Sequence, residues 1–303
     1  MIRSLLAFAL IALLGGSASA QVKLERKYAE GKSTVARTET KTQQTLTIAG
    51  MDIETKSQQF LTTKSAVGQR AADGTLRIET KVDKMQNEIV VQGTTIAFDS
   101  GTPDKKDDNP EINKLYDVFR AALKEVVTIV IDKENKVKAV EGNNEASEKV
   151  DETYRDQFDL ENRKRAAIQE QAALPTDPIK KGDKWTRNEE ANLGGGQTMK
   201  FETNYEYKGT VEKNGKTLDQ ISTTVKSVIY SMDPNSKSPL KVTKSEMKVA
   251  SSEGDIFFDR DRGVIVERTS KNRFQGPMTF SINGMELPGK VDLTMETKIV
   301  VEN

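Results

Sequence analysis

The sequence predicts a mainly β protein of the α+β type. It is expected as one large curved antiparallel sheet, or as two β-rich halves, with one amphipathic helix near 110–125 and a helical connector near 145–173. Three observations carry this expectation. Thr, Val and Ile alternate with Lys, Glu, Gln and Ser over long stretches, the period of two that marks a strand with one wet face. Short Gly- and Asn-containing turns separate those stretches. Only two segments of any length abandon the alternation for a helical spacing.

Residues 1–20 read as a secretory signal peptide rather than as part of the fold. Met1-Ile2-Arg3 supplies a short positive start, an uncharged apolar run covers 5–14, and Gly15-Gly16-Ser17 breaks it. Ala18-Ser19-Ala20 is a small-x-small cleavage signal that would leave Gln21 as the new terminus. The alternative is an uncleaved anchor, but the apolar run is well short of the roughly 20 residues that span a bilayer. No later stretch is long and apolar enough to span one. The mature chain is therefore expected to be soluble and periplasmic or extracellular.

Residues 21–142 read as an N-terminal β-rich half. Thr45-Leu46-Thr47-Ile48 and Met51-Asp52-Ile53-Glu54 flank Ala49-Gly50 as a hairpin, and 76–82 alternates cleanly. Asn109-Pro110 looks like an N-cap followed by Pro at the first helical position. Ile112, Leu115, Phe119, Ala122 and Leu123 then share one helical face. Residues 143–178 read as a connector rich in Glu, Lys, Arg, Gln and Ala, with Val150, Tyr154 and Phe158 at steps of four and Pro175 and Pro178 closing it. It is expected as one long helix or two broken ones, a polar linker being the alternative. Residues 179–303 read as a C-terminal antiparallel half, with strands at 201–207, 221–230, 242–249 and 291–301. Asn214-Gly215 is a strong two-residue turn signal, and the strand at 291–301 is a candidate sheet edge. Residues 129–137 and 256–264 match in pattern, as do 45–53 and 279–287. Both pairs fit either a structural duplication or common hairpin chemistry.

Composition narrows function more than any motif does. The 303 residues contain no His and no Cys. That removes the Ser-His-Asp triad, thiol chemistry and the preferred ligands of zinc and copper. No metal or other cofactor is expected. The 46 basic and 46 acidic residues balance, which argues against nucleic acid as a partner. Asp259-Arg260-Asp261-Arg262-Gly263 has Gly where a calcium loop wants its third ligand and reads as a hairpin turn. Glu189 and Glu190 are neighbours on a strand, so they face opposite ways and cannot share one bond. Gly194-Gly195-Gly196 reads as an inter-strand loop. Trp185, the only tryptophan, is expected to anchor the core, with a ligand-stacking platform as the other reading.

One longer constellation remains. Leu174-Pro175-x-x-Pro178-Ile179-x-x-Gly182-Asp183-x-Trp185 follows Val137-x-x-Val140-x-Gly142 and precedes Gly254-Asp255-Ile256-x-Phe258-Asp259 with Gly263-Val264. Together these resemble domain-of-unknown-function family 6263, a family of exported bacterial proteins, over nearly the whole mature chain. The resemblance implies export and a β-rich architecture, and it brings no catalytic residue. The architecture is also similar, by analogy alone, to the curved half-barrels of envelope lipoprotein carriers.

The expected function is non-enzymatic binding of a hydrophobic or lipid-like ligand in a sheet concavity. Ile112, Leu115, Phe119, Leu123 and Trp185 are the candidate cavity residues. The alternatives are a structural or protein-interaction module of the cell envelope with a filled core, and a carboxylate-dependent hydrolase.

Overall fold

Long alternating stretches become long strands because each β-branched or aliphatic residue can bury on one face while its neighbours stay wet. The computed structural model describes residues 21–142, 145, 147–238 and 240–302. The expected cleavage residues Ala18 and Ala20 lie outside them, and Gln21 is exposed. In chain order the elements are β1 (Ser33–Ile48), β2 (Met51–Val67), β3 (Leu76–Val91), β4 (Thr94–Asp99), α1 (Pro110–Lys124), β5 (Val126–Ile131) and β6 (Val137–Gly142). Two 3-10 turns follow, Ser147–Lys149 and Glu152–Phe158, and then α2 (Leu160–Ala172). The rest is β7 (Lys184–Gly194), β8 (Gln197–Lys213), β9 (Lys216–Met232), β10 (Leu240–Ser245), β11 (Lys248–Asp259), β12 (Val264–Ile282) and β13 (Met285–Glu302).

The strands form one open antiparallel sheet in the order β6-β5-β3-β2-β1-β13-β12-β11-β9-β8-β7, with β4 added to β3 and β10 to β12. The first and last strands meet in its middle, paired from Val35 opposite Glu302 to Ile48 opposite Gly289. This corrects the expected edge at 291–301. β13 is flanked by β1 on one side and β12 on the other. Alternation reports one wet face, and a central strand of a one-sided sheet carries that signature as fully as an edge does. Both sequence pairs proposed as repeats fall in hairpins, β1-β2 with β12-β13 and β5-β6 with β11-β12.

The connector takes the broken form, and its place in the sheet explains its polarity. It joins β6 to β7, the two free edges, and α2 packs beside both. No residue of α2 is buried. Gln169 treats β7 as a neighbouring strand would: its Nε2 donates to the Glu190 carbonyl at 3.2 Å and its Oε1 accepts the Glu190 N–H at 2.5 Å. Gln171 does the same for β6, accepting from Val137 N at 3.0 Å and donating to the Asn135 carbonyl at 2.8 Å. Two side-chain amides thus satisfy edge groups that would otherwise template pairing with another chain.

Helix α1 begins as the sequence predicts, with Asn109 Oδ1 accepting the Glu111 N–H at 3.0 Å. Ile112, Tyr116, Phe119 and Leu123 pack onto the inner faces of β2 to β4 through Leu61, Met85 and Phe98. The Phe98 ring lies 5.1 Å from Phe119 and 5.9 Å from Tyr116. The opposite flank of the helix, Val118 and Ala121, buries Val150 and Phe158 of the connector. At one end of the sheet the segment 22–27 crosses the opening. Val22 and Ile179 exchange backbone hydrogen bonds of 2.7 and 2.8 Å, and Leu24 packs with Leu174, Tyr205 and Phe258.

Candidate functional site

The inner row of β12 changes character along its length. Phe280, Met278 and Phe274 are apolar and buried, whereas Asn272, Ser270 and Arg268 continue the same row as polar residues. The facing strands change in step. On β8 the row runs Met199, Phe201, Thr203, Tyr205, and on β13 it runs Val291, Leu293, Met295, Thr297. Two chambers result, one apolar and one polar.

The apolar chamber has a volume of about 300 Å³. Four methionines, Met199, Met232, Met247 and Met278, line it with Leu46 and Phe280. Leu193 is also in its wall and is 40% exposed, so the chamber reaches the surface. Tyr230 closes one side, donating to Gln197 Oε1 at 2.8 Å, and burial pushes its hydroxyl up to about 12. Methionine is unbranched and polarizable, so a wall rich in it reshapes around different apolar guests.

The polar chamber, about 240 Å³, adjoins it along the same strands and is lined by Glu189, Thr203, Tyr205, Arg268 and Asn272, with Phe201 and Phe274 at its apolar end. Those two rings stand 5.7 Å apart and tilted. They come from β8 and β12, which are not neighbours in the sheet, so their contact crosses the concavity and partitions the chambers. Glu189 uses both oxygens, accepting from the Tyr205 hydroxyl and from Thr203 Oγ1 at 3.0 Å. Burial, and then the adjacent Glu189 charge, push the Tyr205 hydroxyl well above its ordinary range. Arg268 Nη1 reaches Glu170 Oε2 at 2.9 Å, and Glu170 Oε1 also accepts from Arg26 at 2.7 Å. Desolvation by the surrounding protein raises the Glu170 carboxyl, but the Arg268 and Arg26 guanidinium groups outweigh it and hold the group below the usual carboxylate range. Arg268 Nη2 is buried with no protein acceptor.

The four candidate cavity residues of the helix at 110–125 fall elsewhere. Ile112, Phe119 and Leu123 pack on β3 and β4, Leu115 is half-buried, and none of the four lines either chamber. Trp185 stacks on Tyr205 with centroids 5.4 Å apart and planes 12° from parallel. It packs against the Leu24 cluster. Glu189 and Glu190 do face opposite ways. Glu189 lines the polar chamber, whereas Glu190 pairs with Arg165 of α2 and Lys200. The 259–263 run is a tight turn in which Asp259 accepts the Arg262 N–H at 3.0 Å. Its Arg260 Nε reaches Asp219 at 3.0 Å, and Asp219 also takes the Tyr207 hydroxyl at 2.5 Å. Burial, then that hydrogen bond, push Tyr207 up to about 12. Sequence reasoning passed over the methionines and Arg268. Counting parity from Phe280 back through Phe274 would have put Arg268 on the inner face.

A family model described as "Family of unknown function (DUF6263)" matches residues 73–265, most of the chain. The chain belongs to the DUF6263 family. The match contains α1, the connector, Glu189 and three of the chamber methionines, and ends before Arg268 and Met278. No curated protein matches the sequence. Among solved structures, this DUF6263 protein is similar to a lipovitellin chain, in a structure titled for its lipid–protein interactions. The match has 9% identity and a TM-score of 0.46, and covers 91% of this chain. The chain spans 26% of that one. It is also similar to OccK5 of Pseudomonas aeruginosa at 7% identity and TM-score 0.27, covering 91% of this chain and 100% of that one. A DUF1329 family protein from Desulfovibrio piger matches at 7% identity and TM-score 0.13, covering 90% and 85%. Among the described residues, no helix is long and apolar enough to cross a membrane.

Proposed function

We propose that this DUF6263 protein is an exported, non-enzymatic binder of a hydrophobic, lipid-like ligand. The ligand sits in the concavity of the C-terminal strands. The observation that carries the reading is the methionine-lined chamber of about 300 Å³. That is the lower end of the size range of ligand pockets. Binding there draws on burial of apolar ligand surface, about 25 cal/mol per Å² before the costs of association. No cofactor or metal takes part. Export to the periplasm or the cell exterior rests on the leader pattern of residues 1–20.

Native mass spectrometry of the protein purified from an envelope fraction, followed by organic extraction, tests the reading. A fixed-stoichiometry adduct that extracts as lipid is the expected result. A clean apoprotein mass, together with no uptake of long-chain lipids added in excess, would overturn it. N-terminal sequencing of the same sample reads the cleavage site, and a start at Gln21 is expected.

A further inference from the structure

We infer that Arg268 binds the anionic head of that ligand, so that the guest is a single-chain amphiphile with a carboxylate or phosphate head. This deepens the reading above and rests on it. The charged acceptors at the polar chamber are engaged, whereas a charged donor is left open. Both oxygens of Glu189 are already engaged, and both oxygens of Glu170 take a guanidinium. The groups left open are donors: Arg268 Nη2 in the chamber wall, with Arg187 Nε on the inner row of β7 and Arg26 Nε beside Glu170, all buried and without a protein partner. The chamber lining carries one arginine and one carboxylate, and the Glu189 carboxylate is already engaged while Arg268 Nη2 is not, so the open charged group calls for an anion. A charged donor kept from water without an acceptor is costly, and a carboxylate or phosphate oxygen removes that cost through a short, charge-assisted hydrogen bond.

The chambers set the polarity of the guest. A head on Arg268 sends its tail along β12 toward Phe274, six residues or roughly 20 Å away at about 3.3 Å per residue. Beyond the Phe201–Phe274 pair lie the methionines. A neutral lipid fills the apolar end and leaves the arginine unanswered, whereas a fatty acid or a lysophosphatidic acid answers both ends. Glu170 holds Arg268 by Nη1, which leaves Nη2 as the free donor.

The test compares three guests with the same tail: oleic acid, oleyl alcohol and oleoyl lysophosphatidic acid. Each is titrated into the purified chain near pH 8, where carboxyl groups are ionised. Affinity is read by calorimetry, and Trp185 emission serves as a second signal because its ring stacks on the chamber residue Tyr205. Wild type should bind at least one anionic guest about tenfold or more tighter than the alcohol. Arg268→Gln should erase that preference by weakening the anion and leaving the alcohol unchanged, and Arg268→Lys should keep part of it. The tighter of the two anions names the head. Equal binding of anions and alcohol by wild type would overturn the head-group site and leave the hydrophobic reading standing, and this comparison needs no variant to fold. Equal weakening of all three by Arg268→Gln would also overturn it. Binding of none would remove both readings.

Discussion

The two ends of this sheet solve the same problem differently. Around β2 to β4 the concavity is filled by α1, whose Phe119 and Tyr116 interlock with Phe98. Around β8 to β13 no helix enters among the described residues, and the inner rows leave two chambers walled by methionine at one end and arginine at the other. Strand alternation is the same in both regions. What distinguishes them is what the chain inserts between strands: a fifteen-residue helix after β4, and only short turns or loops between successive strands from β7 to β13. A curved sheet with an inserted helix packs its own core, and one without it holds space.

The largest effects should come from adding volume on each side of that contrast. Ala121→Phe places a ring where Ala121 is 3% exposed between Val150 and Phe158. It should cost about 1–3 kcal/mol or more by overpacking. Val242→Phe adds a ring to the apolar chamber wall and should cost under about 1 kcal/mol, because the space receives it. It should also reduce uptake of long-chain guests. Urea unfolding of both variants reads the difference. Equal losses would mean that the chamber is not usable space, and the contrast between the halves would collapse.

The seam between the halves comes next. Gln169→Ala with Gln171→Ala removes the four edge hydrogen bonds of α2 and its bond to Tyr28. At about 0.5–1.5 kcal/mol per net bond, offset by water at partly exposed groups, a loss of roughly 2 kcal/mol is expected. Hydrogen exchange should speed at Val137 and Glu190 ahead of the β1–β13 centre. Uniform exchange across the sheet would show that α2 does not guard the edges.

This seam also marks where sequence reasoning ran out. The helix at 110–125 was legible because an N-cap, a Pro and a 3.6-residue stripe all agree there. The strands were legible from parity, and five turns close as two-residue hairpins. The order of strands was not legible. The β1–β13 pairing joins residues far apart in the chain, and nothing in either strand's alternation names its partner. The connector was legible as helical but not as an edge clamp, since its glutamines look like ordinary surface residues until two strand edges arrive beside them. The two chambers were not legible for a related reason. The apolar stripe of α1 advertises burial, and burial against Phe98 uses the same residues that a cavity wall would. The chambers are built instead from residues scattered over eight strands, β1 and β7 to β13.

Glu170 links α2 to the polar chamber and makes that link sensitive to acid. Its folded pKa is held below the ordinary value by Arg268 and Arg26. Its contribution to stability is therefore present above the unfolded value, near 4.3, and is lost as pH falls through the lowered folded value. Glu170→Gln should flatten the acid limb of the stability curve in that window and leave the slope above about pH 6 unchanged. An unchanged acid limb would show that the Arg26–Glu170–Arg268 bridge does not tie α2 to the sheet.

The smallest effects lie in the hairpin tips, and they too divide by half. Five two-residue turns have both central residues at positive φ, the geometry that matches strand twist; Gly195-Gly196, between β7 and β8, is all glycine, and the other four lead with a residue that carries a side chain. In the N-terminal half these are Ala49-Gly50, with φ of 49° and 84°, and Gln92-Gly93, with 50° and 82°. In the C-terminal half they are Asn214-Gly215, at 52° and 74°, and Asn283-Gly284, at 52° and 83°. Asn tolerates the left-handed region through its short polar side chain, whereas Ala and Gln have no such compensation. The N-terminal tips therefore carry backbone strain that their counterparts avoid, although Ala49 and Asn283 stand at neighbouring ends of the paired β1 and β13. Ala49→Asn should stabilise the protein by a few tenths to about 1 kcal/mol, and Asn283→Ala should destabilise it by a similar amount. Measured as paired shifts in the urea midpoint at constant slope, equal and opposite changes would assign the difference to the turn residue itself. Shifts of the same sign would mean that contacts around the tips, such as those of the exposed Met51 and Met285 beside them, outweigh the backbone.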